Sequence, residues 1–252
     1  MSDNPASTTK TVDFGFTRVQ PELKRQRVRD VFDSVARSYD LMNDAMSLGI
    51  HRLWKRDFVS GLNPAPNRTL LDLAGGTGDI SILWRRQGGG PAILADVNEE
   101  MLRVGRKRAE KRGFFSGIDW IVADAEALPL PDRTVDMISM AFGLRNCTNK
   151  DLVLTEAYRV LKPGGRFFCL EFSKLQIAVL APLYDAWSFG VLPQLGAAIA
   201  GDRDSYRYLA ESIRMFPDQK KLTSMMRYAG FERVVWRNLS GGIVAIHSGW
   251  RL

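Results

Sequence analysis

Residues Leu70–Ile80 read LLDLAGGTGDI, and twenty residues past Gly76 the segment Ile93–Asn98, ILADVN, carries Asp96. An apolar run, a glycine-rich turn, a helix start and a second apolar run ending in a carboxylate predict a β-α-β unit. Gly75, Gly76 and Gly78 let the backbone turn sharply and approach a ligand that a Cβ would hold off. A carboxylate at the tip of the next strand can accept both hydroxyls of a ribose. A third short strand, Trp120–Ala123, leads into Asp124 and Ala125. The loop there reaches the position of an adenine, with the Asp124 carboxylate and the Ala125 N–H as candidate contacts. Asp124 equally suits the N-cap of a short helical stretch before Pro129.

The turn loosely matches a dinucleotide fingerprint, with Ser81 in the third small position. Asp72 in the first strand and Asp79 after the last glycine argue against that reading. A pyrophosphate at a helix N-terminus wants positive potential. A nucleoside with no phosphate and a cationic centre, S-adenosylmethionine, fits two carboxylates better.

Strands are expected at Thr69–Ala74, Ala92–Asp96, Trp120–Ala123, Val135–Met140 and Arg166–Phe172, alternating with helices near Asp79–Arg86, Glu99–Arg112 and Lys150–Leu161. Such alternation implies a mostly parallel sheet with helices on both faces. Asn98 is placed to cap the second of these helices. Helices Ser205–Phe216 and Pro217–Tyr228 follow, and Phe231–Arg237 with Ile243–His247 form a closing antiparallel hairpin. A helix opening at Pro21 carries an apolar stripe of Val28, Val31, Phe32, Val35, Ala36 and Tyr39. Residues 1–15 are expected as a disordered tail and 16–252 as one domain, with a helical cap at 16–66 and a helical insertion at 174–216.

The 252 residues suffice for one α/β domain with a sizeable core. The net charge of +7 is spread over many sites, and the runs Lys24–Arg29 and Arg103–Arg112 read as solvated helix faces, so no nucleic-acid partner is expected. Two cysteines, Cys147 and Cys169, and two histidines, His51 and His247, offer neither a disulfide framework nor a metal cage. No apolar leader opens the chain, so a cytoplasmic protein is expected. Leu175–Ala200 is greasy but interrupted by Pro182, Asp185 and Pro193, which argues against a span. It reads as a packing insertion, a lid over a long apolar substrate, or a patch that touches a bilayer.

Longer motifs then match a known family. YDLMNDAMSLGIHRLW at Tyr39–Trp54, FGLRN at Phe142–Asn146, RVLKPGGR at Arg159–Arg166 with LEFS at Leu170–Ser173, and DSYRYLAESIRMFPDQ at Asp204–Gln219 resemble the UbiE/COQ5 methyltransferases over nearly the whole chain from about Phe14. The resemblance implies the class I S-adenosylmethionine-dependent methyltransferase fold, Rossmann-like, with a mostly parallel seven-stranded sheet. It implies C-methylation of the ring of polyprenylated quinol precursors on the ubiquinone and menaquinone pathways. It also implies that Thr77, Asp96, Asp124 and Ala125 contact the cofactor. Ala141 stands where many relatives have a serine, so a hydroxyl contact there is not carried over. A polyprenylated quinol substrate, peripheral contact with the inner face of the cell membrane, a quinone-biosynthesis complex and a homodimer are the expected associations.

Ring methylation needs positioning, a donor near the phenolate and a proton acceptor. Arg145 is the candidate for the phenolate, with a salt bridge to a nearby carboxylate as the competing reading. His51 is a candidate base or a helix-start hydrogen bonder. Tyr39 is a candidate catalytic or core residue, and Asn43 and Asn146 are candidate substrate contacts. A nucleic-acid methyltransferase, an NAD-dependent redox enzyme and a non-enzymatic membrane scaffold are the rival readings.

Overall fold

The computed structural model describes residues 11–35, 43–44, 47, 49–176, 182, 186–191, 194 and 203–252. Tyr39, most of the Tyr39–Leu48 motif and most of Leu175–Ala200 lie outside the described residues.

The chain opens with a hairpin, β1 (Val12–Phe14) and β2 (Thr17–Val19), followed by helices α1 (Pro21–Val35) and α2 (His51–Leu62). The sheet unit runs β3 (Leu70–Leu73), α3 (Asp79–Arg86), β4 (Ala92–Asp96), α4 (Glu99–Lys111), β5 (Ile118–Val122), β6 (Val135–Ala141), α5 (Lys150–Val160) and β7 (Leu161–Phe172). It closes with α6 (Arg203–Met215), α7 (Gln219–Tyr228), β8 (Glu232–Leu239) and β9 (Val244–Trp250). Seven strands form one sheet in the order β5-β4-β3-β6-β7-β9-β8. The pairs from β5 to β7 are parallel, and β9 runs antiparallel to both β7 and β8.

Part of the tail expected as disordered through residue 15 is ordered. Val12–Phe14 is paired with Thr17–Val19, and Phe14 stacks on Tyr208 of α6 at 4.3 Å between ring centres. Strand β7 also starts earlier than expected, at Leu161. Its pairing with β6 jumps from Val135↔Leu161 to Met137↔Arg166, so Lys162–Gly165 bulge out within the strand. Asn98 caps α4 as expected, accepting from the Met101 N–H at 2.9 Å.

Alternation along the strands builds two cores. Leu71, Leu73, Ile138 and Phe167 pack beneath α5 and α7, while Leu70, Leu94, Met137 and Phe168 pack beneath α2 and α3. Strands covered on both faces read as near-continuous apolar runs. Asp72, on the same side of β3 as Leu70, is fully buried beneath the glycine loop.

His247 on β9 lies buried against α7, its Nε2 3.0 Å from the Gln219 carbonyl and its Nδ1 without a partner. Burial pulls its pKa down to about 4. Between pH 6.5 and 4 the unfolded chain takes up this proton and the folded one does not, so His247 costs stability as pH falls. Burial raises the Asp72 pKa to about 6, which favours the folded state as pH falls from 6 towards 3.8 and partly offsets that cost. Comparing His247→Gln with the native chain isolates the histidine. The native protein should lose about 2–3 kcal/mol relative to the variant between pH 7.5 and pH 4.5 in urea unfolding. A constant difference between the two proteins would contradict this.

Candidate active site

Strand order reverses between β3 and β6, because β4 and β5 lie to one side of β3 and β6 and β7 to the other. In open α/β sheets that reversal, at the carboxyl ends of the strands, leaves a crevice. The turns there are sharp. Ala74 follows β3 with φ +50° and Phe142 follows β6 with φ +60°, left-handed values that cost a non-glycine residue about 1–3 kcal/mol each. Both line a cavity that takes in roughly 970 Å³ of space, its open mouth included.

Gly76 and Asp96 form one wall. The Gly76 N–H donates to Asp96 Oδ2 at 2.8 Å and the Asn98 N–H to Oδ1 at 2.8 Å. Each oxygen keeps acceptor capacity, and the carboxylate lines the cavity, so a vicinal diol could be held there. Burial raises the Asp96 pKa, and the N–H groups of Asn98, Gly76 and Val97 oppose that rise. Gly78, with φ +80°, needs its missing side chain, since a Cβ there would sit 2.7 Å from the Trp120 ring.

Asp124 and Ala125 line the same cavity. The helix expected from Ala125 is instead a tight turn. Asp124 Oδ1 accepts from the Glu126 N–H at 2.8 Å, and the Asp124 carbonyl accepts from the Ala127 N–H at 3.0 Å. An aspartate bonding two residues ahead competes with helix formation. Glu126 ties this turn to its neighbours, accepting from the Thr148 and Asn149 N–H groups at 2.6 and 2.8 Å and pairing with Arg25 of α1 at 3.1 Å.

Helix α1 roofs the cavity with Arg25, Val28, Arg29 and Phe32. In the sequence Val28 and Phe32 show only as part of an apolar stripe and the arginines as a solvated face. Side-chain bonds fasten the helix. Besides the Arg25–Glu126 pair, the Asn98 Nδ2 donates to Asp33 at 2.8 Å and the Lys24 ammonium to the Cys147 carbonyl at 3.0 Å. Burial, with Lys150 nearby, lowers the Lys24 pKa to about 8.

The two carboxylates set against a dinucleotide do not face the cavity. Asp72 accepts from the Ser81 N–H and hydroxyl and from the Ser139 hydroxyl, which staples the loop from below. Asp79 is half-buried, and its loss of solvent alone would raise its pKa. Lys55 at 2.7 Å and Arg108 at 3.1 Å outweigh that and hold it below the usual value. Its charge is therefore spent inside the protein. Thr77, expected at the cofactor, accepts from Arg108 Nη1 on its hydroxyl oxygen at 3.0 Å, and its side chain is buried away from the cavity lining.

Of the other candidates, Asn146 lines the cavity and accepts from the Tyr208 hydroxyl at 3.2 Å. Arg145 does not line it. Its guanidinium is buried, bonded to Glu171 at 2.9 Å and to the Phe142 carbonyl, and lies over the Phe172 ring at 5.4 Å. The competing salt-bridge reading describes it. His51 is buried beside Ser47 Oγ at 2.9 Å and Asp44 at 3.7 Å and borders a different groove. Burial and then Lys55 lower its pKa. Asn43 accepts from the Ser47 hydroxyl through its carbonyl and is not among the described lining residues.

The cavity therefore suits a nucleoside with a free ribose diol, and Gly76, Asp96, Asp124 and Ala125 are the residues that could hold it. Known proteins place this geometry. The ubiquinone/menaquinone biosynthesis C-methyltransferase UbiE of Acidiphilium cryptum is 68% identical over 246 residues, covering 98% of this chain and 99% of the relative. A mitochondrial 2-methoxy-6-polyprenyl-1,4-benzoquinol methylase of Danio rerio is 49% identical, covering 96% of this chain and 85% of the relative. Among solved structures, a SAM-dependent methyltransferase of Thermotoga maritima superposes with a TM-score of 0.66 at 20% identity, covering 89% of this chain and all of that one, a likeness of fold. With residues 20–251 matched by the family's model, the chain belongs to the ubiE/COQ5 methyltransferase family.

Proposed function

We propose that the protein C-methylates the ring of a polyprenylated benzoquinol or naphthoquinol with S-adenosylmethionine as methyl donor, on the route to ubiquinone and menaquinone. The observation that carries this is the meeting of Gly76, Asp96 and Asp124 in one cavity with an otherwise largely apolar lining that includes Val28, Phe32, Ala141 and Phe142. The family and the names of its members support the reaction class.

Asp96 accepts the ribose hydroxyls. Asp124 accepts from the adenine amine and Ala125 donates its N–H, while Gly75–Gly78 let the backbone approach. When bound, the cofactor supplies an electrophilic methyl on a cationic sulfur. A quinol ring carbon becomes nucleophilic when a hydroxyl ortho or para to it ionises. Holding the reactants in attack geometry supplies about 7–11 kcal/mol of the barrier reduction. Phe142 and Phe32 keep water from that contact, and Asn146, steadied by Tyr208, orients a ring oxygen. Arg145 acts through others: it fixes the Phe142 carbonyl and so the loop that carries Asn146.

Incubating the protein with methyl-labelled S-adenosylmethionine and a lipid extract from cells lacking it tests this reading. Label should appear in a demethylated quinol. Label in RNA, or none in lipid, would overturn it.

A further inference from the structure

On the other side of the glycine loop lies a second groove, which shares no described lining residue with the cavity. It runs between α2 and α3 to the end of α4 and encloses roughly 1060 Å³ of open space. Its walls carry Arg52, Lys55, Arg56, Arg86 and Arg112 against Asp79. Asp79 is committed to Lys55 and Arg108, and Arg52 pairs with Asp44 at 2.6 Å. Arg56, Arg86 and Arg112 are exposed; Arg112 adds its charge to the field on Asp79, and no salt bridge to Arg56 or Arg86 is found among the described residues. Arg86 and Arg112 close helices, where a cation is favoured by the backbone dipoles. Arg56 lies in the middle of α2, and no such ground explains it. Beside these cations two apolar side chains face outward, Leu53 at 62% exposure and Ile50 at 41%.

Guanidinium groups recognise phosphates through paired N–H donors. Apolar side chains exposed among cations are the pattern of a surface that lies on an anionic bilayer. We infer that this groove docks the protein on anionic phospholipid headgroups, with Arg56, Arg86 and Arg112 on the phosphates and Leu53 and Ile50 entering the headgroup layer. A single-stranded nucleic acid would want exposed rings to stack its bases, and among the described residues the groove is lined by no Phe, Tyr or Trp and its one imidazole, His51, is buried. The inference deepens the proposed function, since a polyprenylated substrate is confined to the membrane. Its test contains no quinol, so it can fail independently.

The full-length protein is floated with vesicles of phosphatidylcholine alone and of phosphatidylcholine with phosphatidylglycerol, at low and high salt. Binding should appear only with phosphatidylglycerol and weaken with salt. Replacing the three arginines together (Arg56→Gln, Arg86→Gln, Arg112→Gln) should lower the partition coefficient on the order of 100-fold. Leu53→Asp alone should also lower it. Neither change should alter methyl transfer to a short-tailed soluble quinol. Equal binding to both vesicles, or triple-variant binding equal to native, overturns the inference. So does an RNA oligonucleotide that displaces the protein from vesicles and loses its own affinity in the triple variant.

Discussion

Asp96→Asn should weaken S-adenosylmethionine binding by roughly 100- to 1000-fold, with turnover at subsaturating cofactor falling in step. Each hydrogen bond to a charged group is worth about 1.5–3 kcal/mol, and the carboxylate is placed to make one to each ribose hydroxyl. An amide serves worse than its shape suggests. Both carboxylate oxygens already accept a backbone N–H, from Gly76 and from Asn98. Whichever way the asparagine side chain turns, its NH₂ meets one of those donors, and one acceptor for the diol is lost. The 2′-deoxy analogue provides an internal check. The native protein should discriminate against it by about 10- to 100-fold and Asp96→Asn hardly at all. Equal discrimination by both proteins would show that Asp96 does not touch the ribose. Because the Asp96 pKa is raised, affinity should also decline at a higher pH than for an ordinary aspartate.

Glu171→Gln is expected to be the most destabilising single change in the site. Arg145 and Glu171 are almost wholly buried, and Glu171 Oε2 is satisfied by the Phe172 N–H at 2.8 Å. Removing one charge strands the other in a low-dielectric interior, at about 3–5 kcal/mol. For a chain of this size that lowers Tm by roughly 6–20 °C. The double replacement Arg145→Met with Glu171→Leu separates structure from chemistry. Apolar substitutes for a buried pair often restore stability, so its Tm should return to near the native value. Its kcat should stay depressed and its cofactor affinity normal, because the Phe142 carbonyl and the Asn146 loop lose their tether. A double variant with native stability and native kcat would remove Arg145 from the account, and Arg145→Ala alone could not give that answer.

The alternation of apolar runs with turn residues makes the sheet readable: each expected sheet strand is present, β7 starting five residues early, and so are the helices expected at Asp79–Arg86, Glu99–Arg112, Lys150–Leu161, Ser205–Phe216 and Pro217–Tyr228. What stayed hidden depends on partners distant in the chain. Asp79 reads as a negative charge beside the glycine turn, but Lys55 and Arg108 come to it from 24 residues before and 29 residues after. Arg145 meets its carboxylate 26 residues later, on another strand. No spacing rule exposes either pair. The hairpin at Val12–Val19 is too short and polar to signal itself, and it holds through Phe14 on Tyr208 and the Phe16 N–H on Glu211. Ala125–Leu128 has helical composition, which keeps a helix cap open for Asp124 in the sequence; bonding of its own carboxylate to the Glu126 N–H makes a turn instead. The roof helix was read correctly as amphipathic. That its apolar face covers a ligand cavity rather than closed core shows only once the sheet is assembled beneath it.

The central claim is that the crevice between β3 and β6 holds an adenosine bearing a sulfur-linked amino acid. Titration calorimetry of the folded native protein with S-adenosylhomocysteine, run at two temperatures, tests it most directly. Saturable binding at one site is expected, displaced by S-adenosylmethionine and greatly weakened in Asp96→Asn. No heat at either temperature from protein whose thermal unfolding is cooperative would contradict it.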